Sequence, residues 1–238
     1  MTINILLPVL NENLRLEKGV VQTVTYLRKL NKIPFKITII DNGSTDDTPE
    51  IGQKISENFK EVEYIQLRDK GVGLAFREGV LRNTSEIVGY MDCDLSTDLS
   101  HLNQVIDAFI KNDTLDMVNG SRFCKGAKTY NRKWYRNITS YGLTFLLKLF
   151  LGMKASDSIC GFKFFRKNTA EKLIKESSSE NGWFFIIELL IRGEKEGINI
   201  LELPVKWSDD PNTKVKLFKV ISEYIKNISR LFYELNFK

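Results

Sequence analysis

Apolar positions along this chain switch repeatedly between short continuous runs and helical spacing. Ile3 to Leu7 is a compact apolar run ended by Pro8, and an amphipathic helix is expected near Arg15 to Leu30. Ile37 to Ile40 is a second buried run, leading into Asp41-Asn42-Gly43-Ser44. Thr48 then reads as a helix N-cap with Pro49 at the first helical position. Val62 to Leu67 is a third strand, followed by a helix from about Gly73, and Ile87 to Met91 is a fourth strand that stops at Asp92. This rhythm predicts βαβ units and an α/β fold with a mostly parallel central sheet flanked by helices. No internal repeat or low-complexity linker interrupts it.

Composition narrows the class. The 238 residues suffice for one large domain, and 42% apolar with 27% charged residues excludes wholesale disorder. The three cysteines (Cys93, Cys124, Cys160) lack C-x-x-C spacing, which argues against a disulfide framework or a zinc site. With one histidine, His101, a histidine-rich metal site is excluded, and a Ser-His-Asp triad would have to pass through a residue at an expected helix start. No basic leader opens the chain, and nothing reaches the ~18 apolar residues of a spanning helix. The expected location is the cytosol or the cytosolic face of a membrane.

Ligands of open parallel sheets bind beyond the carboxyl ends of the strands. Pro8 to Glu12, Asp41 to Asp46 and Asp92 to Asp98 all begin at such ends and should converge on one rim. Residues i and i+2 on an extended segment point to the same side. Asp92 and Asp94 can therefore share a hard cation, Mg²⁺ or Mn²⁺, that bridges a diphosphate and stabilises its departure. A solvated turn is the simpler account of D-x-D taken alone. Asp41 has two readings, an Asx turn into the next helix or an acceptor for a nucleotide base. Lys70-Gly71-Val72-Gly73 is similar to a phosphate-cradling loop but lacks the third glycine of a dinucleotide fingerprint and the lysine placement of a P-loop.

Taken in order, Pro8-Val9-Leu10-Asn11-Glu12, Asp41 to Thr48, Lys70-Gly71 and Asp92-Cys93-Asp94-Leu95-Ser96-Thr97 resemble glycosyltransferase family 2, inverting enzymes of the GT-A fold. The resemblance implies that Pro8, Val9, Asn11, Glu12, Asp41 and Ser44 surround the nucleoside, with Lys70 and Gly71 nearby. It places Asp92 by the ribose and diphosphate and Asp94 on the metal. In the second half, Gly120-Ser121-Arg122, Arg132 to Asn137, Asp157 to Lys163, Trp183-Phe184 with Glu188, and Val205-Lys206-Trp207 resemble the polyprenyl-phosphate branch, and within it the dolichyl-phosphate β-glucosyltransferases. The implied reaction moves a hexose, glucose from UDP-glucose, to a polyprenyl or dolichyl phosphate. A glycan hydroxyl acceptor and a GDP-mannose donor are the alternatives. Four positions depart from that family's pattern: Ile159 stands where it has Gln, and Ile186 where it has Asp. Ser96 occupies the place of a metal-binding Gln of mannose synthases, and Asn212-Thr213-Lys214 replaces Gly-Ser-Lys.

Charge patterning bears on the acceptor. Met117 to Ser156 holds eight basic residues and no acidic one, against a surplus of +5 for the whole chain. Beside that block, Ile138, Tyr141, Phe145, Leu146, Leu149 and Phe150, widened by Leu143, Leu147 and Leu151, make a helix apolar around nearly its whole circumference. Such a helix is buried in a core or dipped into a membrane interface. Leu217, Ile221, Tyr224, Ile228, Leu231 and Leu235 repeat at helical spacing near the C-terminus, where six basic and two acidic residues follow position 213. The expected organisation is one catalytic domain over residues 1–212, with a nucleotide-sugar half at 1–98 and an acceptor half at 99–212, and a C-terminal amphipathic helix at 213–238. Arg122, Arg132 and Arg136 are the candidates for an acceptor phosphate, because guanidinium forks match its oxygens. A hydroxyl acceptor would need a base, Asp157 or else Glu188, and for each a structural hydrogen bond or ion pair is the competing role. The candidate catalytic set is Asp92, Asp94, Arg122 and Asp157. A nucleotidyltransferase would open with a glycine-rich loop, absent from Pro8 to Glu12, and no nucleic-acid-binding motif is present.

Overall fold

The computed structural model describes residues 1–209 and 217–237, with side chains described over 1–209 and 222–237. Its first half alternates as expected: β1 (Ile3–Val9), α1 (Leu16–Leu30), β2 (Phe35–Asp41), α2 (Thr48–Asn58), β3 (Val62–Gln66), α3 (Val72–Leu81) and β4 (Ile87–Met91). There follow α4 (Ser100–Lys111), β5 (Met117–Ser121), β6 (Lys128–Tyr130), α5 (Trp134–Leu151), β7 (Phe162–Arg166) and α6 (Lys167–Glu176). The last elements are α7 (Phe184–Glu196), β8 (Ile200–Pro204), β9 (Lys206–Ser208) and α8 (Leu217–Phe237).

Seven strands form one sheet in the order β3-β2-β1-β4-β7-β5-β8, and β6 pairs with β9 in a small parallel ribbon. Strands β1 to β4 are mutually parallel, as are β5 and β8, while β7 runs antiparallel to both its neighbours. Strand residues bury on both faces, hence the uninterrupted apolar runs. Ile3, Ile5, Leu7 and Val9 meet α1, α2 and α4 on one side, and Leu6 meets the layer of α3, α5, α6, α7 and α8 on the other.

Two local expectations are corrected. Pro8 does not end β1 but sits inside it, opposite Ile40. The ladder with β4 stops at Leu6, and Ile87 N–H donates to Thr2 O, so even-numbered residues of β1 face β4. The proline therefore lacks its N–H on a side where pairing has already ended. Thr48 is the first residue of α2 and not its cap; its Oγ1 accepts the Glu12 N–H at 2.8 Å.

The two apolar helices behave differently. In α8, Tyr224, Ile228 and Leu231 are buried and Leu235 partly so, as the spacing predicts, while the side chains of Leu217 and Ile221 lie outside the described residues, as does the 212/213 boundary. In α5 the inward stripe is Ser140, Thr144, Leu147 and Leu151, whereas Trp134, Ile138, Tyr141, Phe145 and Leu149 are 55–73% exposed. Among the described residues no helix is long and apolar enough to cross a membrane.

Candidate active site

The carboxyl ends of β1 and β2 are stitched together by their loops. Val9 lies opposite Asp41 in register, and Asn42 N–H donates to Val9 O. Asn11, at φ +56°, donates its N–H to Ser44 Oγ (2.9 Å) and accepts the Thr45 N–H on Oδ1 (2.8 Å). The Glu12 carboxylate takes two hydrogen bonds from Arg15, at 2.7 and 2.8 Å. Asp41 is fully buried, with Oδ1 accepting Ser44 N–H and Oδ2 accepting the Tyr64 hydroxyl, each at 2.8 Å. The Asx turn is thus present. Burial, helped by Asp41, pushes the Tyr64 hydroxyl well up. Lys70 is exposed beside Gly71 at the start of α3. Gly71 adopts φ +151°, and a Cβ there would fall 2.2 Å from Asn181 O, the carbonyl that accepts Gly73 N–H at 2.8 Å. That amide faces the 177–183 segment, so the loop is a packed junction and not a nest of free amides.

Asp92 follows β4 directly. Its N–H donates to Gly161 O (3.2 Å), and its Oδ1 accepts the Tyr90 hydroxyl (3.1 Å). Gly161 is required sterically, since a Cβ there would lie 2.0 Å from Asp92 Oδ2. Burial first, then the neighbouring Asp94 carboxylate, push the Asp92 carboxyl up to about 7. Asp94 Oδ1 accepts Ser96 N–H at 2.9 Å, and Leu95 between them is held at φ +58°, a conformation that costs a non-glycine residue about 1–2 kcal/mol. Gly19 lets α1 close against this loop, where a Cβ would sit 2.0 Å from Cys93 O. Asp92 and Asp94 are each partly exposed, and two hard oxygen donors that repel each other there fit a divalent cation. Among the described residues no group of three or more His, Cys, Asp or Glu gathers as a metal site. A cation here would rest on this pair and complete its shell with substrate oxygens, as Mg²⁺ sites on phosphates do.

Asp92 also lines a cavity of about 420 Å³. Its polar end carries Tyr90, Arg122, Arg132, Arg136 and Ser158; its walls are Leu143 and Leu146 of α5, Ile186 and Ile187 of α7, and Tyr224, Ile225 and Ile228 of α8. Ile159 and Ile186, both departures from the family pattern, are part of that apolar lining. Arg122 closes β5 and is gripped by Asp157 through Nε (2.7 Å), Nη2 (2.9 Å) and its own N–H (3.0 Å). Asp157 also accepts the Ile159 N–H at 3.0 Å and is fully buried. Burial alone would raise its pKa, but Arg122 outweighs that and holds the carboxyl below the usual carboxylate range. Arg122 and Arg132 both lie 5.2 Å over the Trp207 ring, and Arg132 donates to Asn137 Oδ1 (2.6 Å) and Ser140 Oγ (2.7 Å). Burial, then Arg122, lower Arg132 to about 10. Arg136 pairs with Asp209.

The structure thus brings Asp92 and the three arginines to one cavity, with Asp157 buried behind Arg122 as its partner. Glu188 is fully buried in a lattice with Arg192 (2.8 Å) and Arg230 (2.6 Å), joining α7 to α8. His101 is buried in α4, its Nε2 accepting the Lys206 N–H at 2.7 Å, a structural place beside the sheet. Trp207, Tyr90 and Ser158 line the cavity but were not singled out by sequence. Trp207 and Ser158 did fall within quoted motifs; their orientation needed the tertiary fold.

The family model for glycosyl transferase family 2 matches residues 4–174. Glycosyltransferase AglD of Haloferax volcanii is 28% identical over 98% of this chain, which spans 37% of that protein's length. Dolichyl-phosphate beta-glucosyltransferases of Dictyostelium discoideum and Saccharomyces cerevisiae are 28% and 27% identical over 96% and 90% of the chain, and 73% and 69% of their own lengths. Among solved structures, glucosyl-3-phosphoglycerate synthase from Mycobacterium tuberculosis, in complex with Mn²⁺ and UDP-glucose, shares the GT-A fold at a TM-score of 0.68 and 18% identity. That likeness covers 97% of this chain and 77% of that one. With 4–174 inside the family model and the rim built as above, the chain belongs to glycosyl transferase family 2 and is a glycosyltransferase.

Proposed function

We propose that this glycosyltransferase moves glucose from UDP-glucose to the phosphate of a polyprenyl lipid such as dolichyl phosphate, with inversion at the anomeric carbon. The relatives named dolichyl-phosphate beta-glucosyltransferase support the transferred glucose and the lipid acceptor, and the solved structure of this fold in complex with UDP-glucose supports the donor. The observation that carries the acceptor is the cavity, where arginines and Asp92 share a pocket with a largely aliphatic and aromatic wall from three helices. A lipid phosphate has that division of character.

In this reading Pro8, Val9, Asn11, Glu12, Asp41 and Ser44 seat the nucleoside, and Lys70 and Gly71 lie toward the diphosphate. Asp92 and Asp94 would hold Mg²⁺ or Mn²⁺, which when bound neutralises the diphosphate and eases its departure. Arg132 and Arg136 face the acceptor phosphate. Arg122, with two guanidinium nitrogens turned to Asp157, adds fixed charge beside them. The acceptor's second pKa near ~6 leaves it mostly dianionic at neutral pH, so no general base is needed. A hydroxyl acceptor would need one. Asp157 is held by Arg122 and Glu188 by Arg192 and Arg230, which favours the phosphate.

The exposed aromatic and aliphatic face of α5, with Lys125, Lys128, Lys133 and Lys148 exposed around it, suits a peripheral seat on a membrane. Each Lys or Arg near an anionic leaflet adds about 1 kcal/mol, which favours the cytosolic face. The test is a panel of nucleotide sugars with Mn²⁺ or Mg²⁺, with and without polyprenyl phosphate, and Arg136→Ala alongside. UDP-glucose with polyprenyl phosphate should give labelled lipid, and Arg136→Ala should raise the lipid KM more than the nucleotide KM. An unchanged lipid KM in that variant argues for a soluble or hydroxyl acceptor.

A further inference from the structure

The turn between α5 and β7 touches two charged groups of the cavity's polar end. Asp157 grips the Arg122 guanidinium, and Gly161 abuts the Asp92 carboxylate. Ser158 and Ile159 between them line the cavity. Ser158 is 1% exposed, and its Oγ has no hydrogen-bond partner in the protein. Its neighbours on this turn are otherwise satisfied: Asp157 accepts five N–H groups, from the Arg122 backbone, two Arg122 guanidinium nitrogens, and the Ile159 and Cys160 backbones. Lys163, also fully buried, donates to Cys160 O at 2.8 Å. A buried hydroxyl without a partner forfeits the hydrogen bond it made in water, and native structures rarely leave one so without water, an ion or a ligand to meet it. Of the six such side-chain atoms among the described residues, Ser158 Oγ and those of Asn42, Asn103, Asn119, Thr144 and Ser177, only that of Ser158 belongs to a residue lining this cavity. The hydroxyl can donate, and the cavity that Ser158 lines carries Arg122, Arg132 and Arg136, a charge that selects an anionic oxygen as the missing acceptor.

We propose that Ser158 is a substrate-binding residue whose hydroxyl donates to a phosphate oxygen lying between Arg122 and Asp92. This rests on the reading above that phosphates meet in this cavity, and it adds a contact which that reading does not use. The oxygen belongs either to the acceptor phosphate or to the leaving diphosphate; both present the same chemistry to the hydroxyl.

Ser158→Ala separates this role from a structural one. Removing an unsatisfied buried hydroxyl takes nothing from the ligand-free fold, so the variant should melt at or above the wild-type temperature. A hydrogen bond to a charged group is lost in turnover, and kcat/KM should fall roughly ten- to a hundred-fold. Steady-state kinetics with UDP-glucose and polyprenyl phosphate distinguish the two sources. A loss confined to the lipid KM assigns the oxygen to the acceptor, and a loss in nucleotide KM or kcat assigns it to the diphosphate. Thermal shifts induced by UDP and by geranyl phosphate give a binding readout that needs no turnover, and one of the two should shrink in the variant. If the wild type transfers nothing to lipid, the acceptor reading fails while these shifts still report on Ser158. A lower melting temperature with both shifts and kcat/KM intact would overturn the inference.

Discussion

Gly161 has no room for a side chain because the Asp92 carboxylate occupies the place where one would go. Gly161→Ala should therefore displace that carboxylate rather than unfold the sheet. A displacement of about 1 Å at a reacting centre costs roughly 10²-fold. Turnover should fall by that order while the melting temperature changes little, as kinetics and a thermal melt on one sample would reveal. Asp157 makes the complementary case. Its folded-state pKa is lowered, so its contribution to stability is complete above the ordinary carboxylate value, about 4, and is lost as pH falls through the depressed value. Asp157→Asn leaves Arg122 buried without its counter-charge and should cost about 3–5 kcal/mol at neutral pH. Its stability should also decline less steeply than the wild type's below about pH 4. Denaturant titrations at pH 7 and pH 3 check both statements; equal acid slopes would contradict the second. At this scale the sequence was legible where chemistry repeats a pattern. Asp41, Asp92 and Asp94 follow apolar runs, and their neighbours on the rim come with them. The pairing of Arg122 with Asp157 was not legible, because 35 residues separate them and only the antiparallel insertion of β7 beside β5 brings them together.

Among the elements, α5 departs furthest from ordinary patterning. Ser140 and Thr144 point inward while Phe145 and Leu149 point outward at 64% and 62% exposure. Soluble monomers rarely expose a contiguous apolar face of this kind without a use for it. Phe145→Ser with Leu149→Ser should weaken partitioning onto anionic vesicles, read by co-sedimentation, by about a hundred-fold or more, because each lost side chain removes about 1.5–3 kcal/mol of burial in the membrane interface. The same pair should leave thermal stability nearly unchanged. Undiminished vesicle binding would remove α5 from the membrane contact. From periodicity alone, this helix could be read as core or interface, and nearly all-round hydrophobicity hides which stripe turns inward. The first-half strands were legible because both their faces are buried. The second half was harder: β7 reads Phe-Lys-Phe-Phe-Arg, and Lys163 interrupts what is otherwise an apolar run. β6 and β9 span three residues each and are held by a ribbon that no local signal announces.

For the whole molecule, the sheet order sets the chemistry. β4 and β5 flank β7, so the acidic pair after β4 and Arg122 after β5 come to the same end of the sheet with the 157–161 turn between them. Helices α5, α7 and α8 then close an apolar chamber over that end, and the Glu188 lattice fixes α8 as one of its walls. In the proposed function the nucleotide-sugar rim and the apolar chamber meet at Asp92. The most direct test compares two acceptors with identical tails: the protein is given labelled UDP-glucose and Mn²⁺ with polyprenyl phosphate or with the corresponding polyprenol, and label in the lipid phase is counted for wild type and Asp94→Ala. Label in lipid only with the phosphate, and abolished in Asp94→Ala, is the predicted result. Equal labelling of the polyprenol, or near-normal transfer by Asp94→Ala, would contradict it.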